Sequence, residues 1–201
     1  SITPTSRYSN NPKLQKSITP SHGKYDMDKI RHAVIEDFGN SYASFGNSEL
    51  MGRVVGLLLC AGEPINVDRI AAQLHVSKSP VNQICNRLEE AKLIRRAWVK
   101  GERKYHYEIV DNVFLQASLN VSRLTEGNLH LAEKNLEAVA KKFRTATEAE
   151  KEGLKVIGQR LIEMREFYRK LIESYHRFNE DWRTARAQLP SVEAFLNAAH
   201  F

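Results

Sequence analysis

Cysteine is scarce in this chain: Cys60 and Cys85 are the only two in 201 residues. They form no C-x-x-C pair and no disulfide framework, and a reducing compartment is expected. Long hydrophobic runs are also missing. The run Val54-Val55-Gly56-Leu57-Leu58-Leu59-Cys60-Ala61 falls far short of the roughly 20 apolar residues that span a bilayer. No cleavable leader pattern is visible, and the expectation is a cytoplasmic chain with no membrane partner. The histidines at 22, 32, 75, 106, 130, 176 and 200 show no metal-ligand spacing with Cys or Asp. Phosphate loop, nucleophile elbow and paired-acid motif are absent too. No catalytic constellation remains, so the chain is expected not to be an enzyme and to need no cofactor or metal.

What is present is a moderately apolar, basic chain. Hydrophobic residues make up 42% and charged residues 27%, enough for a core and against wholesale disorder. The net charge is +6, which suits a polyanionic partner. Its distribution says more. Between Arg87 and Lys104 seven Lys/Arg (Arg87, Lys92, Arg95, Arg96, Lys100, Arg103, Lys104) face three acids (Glu89, Glu90, Glu102). The C-terminal helical stretch carries more charge but is nearly balanced.

Residues 1–23 are rich in Ser, Thr, Pro and Asn and are expected to form a flexible arm. Residues 24–46 are expected to form an N-terminal helix that starts near Asp26 or Asp28 and carries the stripe Ile30, Val34, Phe38, Tyr42 and Phe45. Residues 47–112 hold a second helix after Asn47-Ser48, ending at Gly62-Glu63-Pro64, and the segment with the clearest pattern. Residues 113–201 read as helix almost throughout, with a break near Thr145-Ala146-Thr147. Past that break Leu154, Ile157, Leu161, Met164, Tyr168, Leu171, Tyr175, Phe178 and Trp182 alternate spacings of three and four. Such a seam must be buried against other helices. A second copy of the chain is one expected cover, which makes the terminal helices a dimerisation region and the protein a homodimer. Pro190 ends the seam, and a short helix from Ser191 to about Ala199 closes the chain.

Within 47–112 the order is helix, tight turn, helix, hairpin. Asn66 is placed to cap a helix over 67–74 and Ser77 one over 78–88. In the latter, Val81, Ile84, Cys85 and Leu88 fall on one side, leaving Lys78, Ser79, Asn82, Gln83 and Asn86 outward. A two-stranded hairpin follows, with Gly101 in a basic turn and with Tyr105, Tyr107 and Ile109 alternating with His106 and Glu108. That is the order of a winged helix-turn-helix, whose second helix fits the major groove of double-stranded DNA. The fold class is therefore expected to be mainly α with a small β-hairpin wing and long terminal helices. Asn82, Gln83 and Asn86 offer the paired donor and acceptor that read adenine, and Ser79 donates or accepts. Lys78, Arg87, Lys100, Arg103 and Lys104 are cations suited to phosphates or to the minor groove. The alternative from another class is a winged-helix protein-interaction scaffold without DNA binding, which the balanced end of the helix at Glu89-Glu90 keeps open.

The block from Phe38 to Tyr107 resembles the GbsR-like branch of the MarR transcription regulators. The resemblance rests on Phe45-Gly46, Met51-Gly52-Arg53-Val54-Val55-Gly56-Leu57-Leu58-Leu59, Glu63-Pro64 and Val76-Ser77-Lys78-Ser79. It continues through Leu88-Glu89, Leu93-Ile94-Arg95-Arg96-Ala97-Trp98-Val99 and Gly101-Glu102-Arg103-Lys104-Tyr105. It covers about a third of the chain. It implies a prokaryotic, dimeric winged-helix repressor or activator, and a small osmolyte-related effector such as choline. Two positions depart from the pattern. His75 stands where the turn usually has Gly, and Pro80 replaces a common small polar residue.

Two further features carry alternatives. Cys85 fits a redox sensor by analogy with some MarR-type regulators, but its spacing places it on the buried side as an inert core thiol. Tyr168, Tyr175, Phe178 and Trp182 could cage a quaternary ammonium ligand through cation–π attraction, yet the seam spacing explains the same rings as packing. Trp98 and Tyr107 have the same ambiguity on the hairpin. The candidate ligand set is thus Trp98, Tyr107, Tyr168, Tyr175 and Trp182.

Overall fold

The computed structural model of the chain describes residues 22–198. The expected arm lies outside the described residues apart from His22 and Gly23, which are helical. The chain divides into two compact units, 1–60 and 61–201.

The first unit is a helix pair, α1 (His22–Ser44) and α2 (Glu49–Leu59). The backbone is already helical at His22, ahead of the expected start at Asp26 or Asp28. Of the expected stripe, Val34, Phe38 and Tyr42 are half-buried, whereas Ile30 and Phe45 are exposed. Gly46 turns the chain with φ +76°, and the Ser48 side chain accepts the Met51 N–H to start α2. Glycine sets how closely the helices approach. A Cβ on Gly52 would lie 2.2 Å from the Phe38 carbonyl oxygen, and one on Gly56 3.0 Å from the Ile35 Cα. The Arg53–Glu36 ion pair at 2.9 Å adds a polar tie across the same pair of helices. α2 ends at Leu59, before the expected stop.

The second unit runs β1 (Ile65–Asn66), α3 (Val67–Gln73), α4 (Lys78–Glu90), β2 (Ile94–Ala97), β3 (His106–Ile109), α5 (Val113–Phe143), α6 (Glu148–Ala187) and α7 (Val192–Ala198). The sheet has three antiparallel strands in the order β1-β3-β2, where the sequence pattern suggested two. Ile65 pairs with Tyr107 and Asn66 with His106; on the other side Arg96 faces Tyr107 and Ala97 faces His106. Two residues are too few to show alternation, which is why β1 is invisible as a pattern.

The extra strand also revises the hairpin alternation. His106 and Tyr107 are both buried, and Tyr105 is exposed. β3 is the central strand, and His106 is enclosed by polar partners rather than turned to water. Its Nδ1 donates to the Lys104 carbonyl at 3.0 Å, and Nε2 faces Asn66 Nδ2 at 3.4 Å and Glu102 Oε2 at 3.1 Å.

The turn between α3 and α4 follows from hydrogen bonds at a helix end. Val76 N–H reaches back to the Ala71 carbonyl at 3.0 Å and His75 N–H to that of Ala72 at 3.3 Å. This paired closure places the residue after the C-cap in left-handed conformation, and His75 has φ +54°. The end of α4 repeats the device: Leu93 N–H bonds Leu88, Lys92 N–H bonds Glu89, and Lys92 has φ +57°.

α5 and α6 form an antiparallel pair, tied by Ser118 to Asn179 at 2.9 Å and Trp182 to Asn112 at 3.2 Å. The break falls where expected. Thr147 caps α6 in a reciprocal box with Glu150, whose carboxyl is held down at about 2 by the Thr147 backbone N–H first and then by Lys142. α6 has 40 residues, or about 60 Å at 1.5 Å per residue. Only Gly158 and Asn179 of it are buried. No residue of the seam from Leu154 to Trp182 is fully buried within the chain, and Ile157 and Phe178 are exposed. The last helix is Val192–Ala198.

Candidate nucleic-acid interface

α4 presents two unlike sides. Val81, Ile84, Cys85 and Leu88 are all buried. Lys78, Ser79, Asn82, Gln83, Asn86 and Arg87 are all exposed. The helix therefore carries its amide and cationic side chains outward on one rigid rod, while its apolar side is fixed in the core. Ser77 occupies the N-cap position but makes no side-chain cap bond. Pro80 removes one of the two usual partners. A Ser cap bonds the N–H of the second or third helical residue, and proline at the third has none.

The wing stands beside this helix. Gly101 takes φ +88°, and Lys100, Arg103 and Lys104 are exposed around it. A cavity of about 250 Å³ separates the wing from α4, lined by Asn82, Asp68, Arg103, Lys104 and Tyr105 among others. Asp68 on α3 connects both sides of it. Its carboxylate pairs with Lys78 at 2.8 Å and with Lys104. Lys104 first and Lys78 second hold this carboxyl down at about 2, and Lys104 is raised in turn. Asn66, two residues earlier, caps α3 by accepting the Arg69 N–H at 3.0 Å and donates to Glu102 of the wing at 3.5 Å. The first turn of α3 thus positions both the base of α4 and the wing. Neither Asp68 nor His106 was singled out from sequence, since an acid next to a basic face and a histidine in a strand carry no periodic signal.

Of the expected DNA-contacting residues, Asn82, Arg103 and Lys104 share the cavity, and Ser79, Gln83, Asn86 and Arg87 continue along α4. Lys78 is tied, with Lys104, to Asp68, and Lys100 is exposed in the wing turn outside the cavity lining.

The candidate ligand residues do not gather at one place. Tyr168, Tyr175 and Trp182 are spaced by sevens along α6, so the outer two are about 21 Å apart along the axis. Trp182 instead joins Phe114, Leu115 and Phe178 around a small apolar cavity of about 120 Å³. Tyr107 is buried in the sheet and Trp98 projects from the wing. Cys85 is fully buried; burial first and Glu89 second push its thiol up to about 12. That matches an inert core thiol. Among the described residues no helix is long and apolar enough to cross a membrane.

The helix-turn-helix with its three-stranded wing defines a winged-helix protein with long terminal helices, and comparisons with known proteins agree. No family model matches the chain. It is similar to the HTH-type transcriptional repressor OpcR of Bacillus subtilis, 24% identical over 94 residues, covering 45% of this chain and 51% of that protein. It is also similar to the putative HTH-type transcriptional regulator YvaV of the same organism, 22% identical over 88 residues, covering 44% and 50%. The chain thus spans about half the length of the curated relatives it matches. A solved structure of a transcriptional regulator shares the fold with a TM-score of 0.63, at 21% identity, over 77% of this chain and 99% of that one.

Proposed function

We propose that this protein is a sequence-specific DNA-binding transcription regulator that acts in the cytoplasm as a homodimer, and that it belongs to the GbsR-like branch of the MarR family. One observation carries the reading: α4 is buried wholly on its apolar side and exposed wholly on a side made of Lys78, Ser79, Asn82, Gln83, Asn86 and Arg87. Asn and Gln pair with adenine edges and the cations with phosphates. The wing adds Lys100, Arg103 and Lys104. The relatives named as HTH-type regulators support the same reading.

The dimer is supported by unmet apolar surface. Phe114, Leu124, Ile157, Phe167, Phe178, Phe195 and Leu196 are exposed on α5, α6 and α7, and exposure on this scale marks an association surface. A two-fold dimer would set its two recognition helices about 34 Å apart, in successive major grooves. A small osmolyte-type effector is supported by the apolar cavity at Phe114, Phe178 and Trp182, whose rings suit a quaternary ammonium group.

Site selection from random DNA tests the central claim. We expect a pseudo-palindromic site whose binding is lost in the triple variant Asn82→Ala, Asn86→Ala, Arg103→Ala. Binding that survives all three changes removes this face from the function. Absence of any DNA affinity at low salt turns the reading towards a protein-interaction scaffold. Light scattering reports the dimer, and Phe167→Lys should weaken it. A thermal shift with choline, reduced by Trp182→Ala, reports the effector; no shift removes the effector alone.

A further inference from the structure

Trp98 is the most exposed large apolar side chain among the described residues, at 82%. Its position is nevertheless well defined. The indole packs edge-on against Tyr105, with ring centroids 6.2 Å apart. The Arg96 guanidinium lies 4.7 Å over the Tyr105 ring, and Arg96 is held by Glu89 of α4 at 2.9 Å. Tyr105 in turn lines the cavity beside Asn82. Indole, phenol and guanidinium thus form a stack on the wing that is braced against the recognition helix. Lys100 and Arg103 follow Trp98 in the exposed turn.

We propose that Trp98 is an apolar DNA contact, laid by the wing against the minor-groove wall of the duplex that α4 reads. This rests on the DNA-binding reading above and adds a contact of a different kind to it. An indole in water gains by burial on any apolar surface, so its neighbours decide the partner. Here the exposed cations of the adjoining turn are Lys100 and Arg103, which an apolar protein surface would have to desolvate and which a phosphate backbone meets directly. Apolar side chains placed in the minor groove pack against sugars and base steps with little reading of sequence. The contact therefore adds affinity with little salt dependence, unlike the cations beside it.

The test uses the full chain and a duplex recovered by site selection. Trp182→Phe leaves Trp98 as the single tryptophan, since the sequence has two. Binding is followed by anisotropy of labelled duplex and, in parallel, by indole emission. We expect Trp98 emission to be quenched along the same binding curve. Trp98→Ala should weaken binding roughly 10-fold, or about 1.4 kcal/mol, with the salt slope unchanged, and Trp98→Phe should recover most of the loss. Arg103→Ala should instead lower the slope by about one. Binding with unchanged Trp98 emission, or wild-type affinity in Trp98→Ala, overturns this contact and leaves the DNA reading standing. A lowered salt slope in Trp98→Ala also overturns it. If no duplex is bound at low salt, both fall together.

Discussion

The Asp68 carboxylate lies 2.8 Å from the Lys78 ammonium at the start of α4, and it pairs at the same time with Lys104 of the wing. One acid thus restrains two cations that the proposed function sends to phosphates. Asp68→Asn should release both, raising DNA affinity at low salt and steepening its salt dependence. The measurement is a salt titration by anisotropy; an unchanged slope would show that neither lysine meets the backbone.

The same carboxylate links stability to pH. Its folded value is held at about 2 against an ordinary 3.8. The charged form is therefore favoured by folding, and the stabilisation is present above the ordinary value and lost as pH falls through about 2. The melting temperature should drop a little over that window in the wild type. Asp68→Asn should lack this component. The change should be small because the pair is solvent-screened.

Two residues hold left-handed backbone that glycine adopts without strain: His75 at φ +54° and Lys92 at φ +57°. His75→Gly and Lys92→Gly should each stabilise the protein by about 1 kcal/mol. Urea denaturation should show higher midpoints with an unchanged slope. A lower midpoint in His75→Gly would mean that the imidazole contributes more than its backbone costs.

Gly52→Ala should destabilise by about 1–3 kcal/mol. The added Cβ would meet the Phe38 carbonyl oxygen at 2.2 Å and the Phe38 carbonyl carbon at 2.8 Å, and backbone cannot step aside as a side-chain tip can. The check is thermal unfolding, with Gly62→Ala as the control because a Cβ there meets nothing within 4 Å. Equal melting temperatures for the two variants would contradict the close helix approach.

Ellman's reagent should label Cys60 in the native protein and Cys85 only after denaturation. Cys60 is partly exposed and Cys85 buried. Burial also disfavours the Cys85 thiolate that would react. Rapid native labelling of both would reopen a sensing role for Cys85.

The two sides of α4 were legible in the sequence because a helix places residues by a fixed local period. Val81, Ile84, Cys85 and Leu88 needed only their spacing to be assigned inward. The turn at His75 was legible only through the resemblance, as a position that usually holds Gly, and its left-handed backbone is set by the paired closure at the end of α3. The hairpin register was not. His106 is buried because Asn66, 40 positions earlier, supplies both a strand and a polar partner, and no window of sequence contains both.

By itself, then, the sequence determined which helices form and which side of the recognition helix is polar, because these depend on neighbours within a few residues. Tertiary structure decided what those residues face. It set Asp68 between Lys78 and Lys104, enclosed His106 in a three-stranded sheet, projected Trp98 from the wing and left no residue of the α6 seam fully buried. The first two are pairings between distant segments, fixed when the chain closes its loops and satisfies its buried polar groups, and the last two are surfaces that those closures leave uncovered.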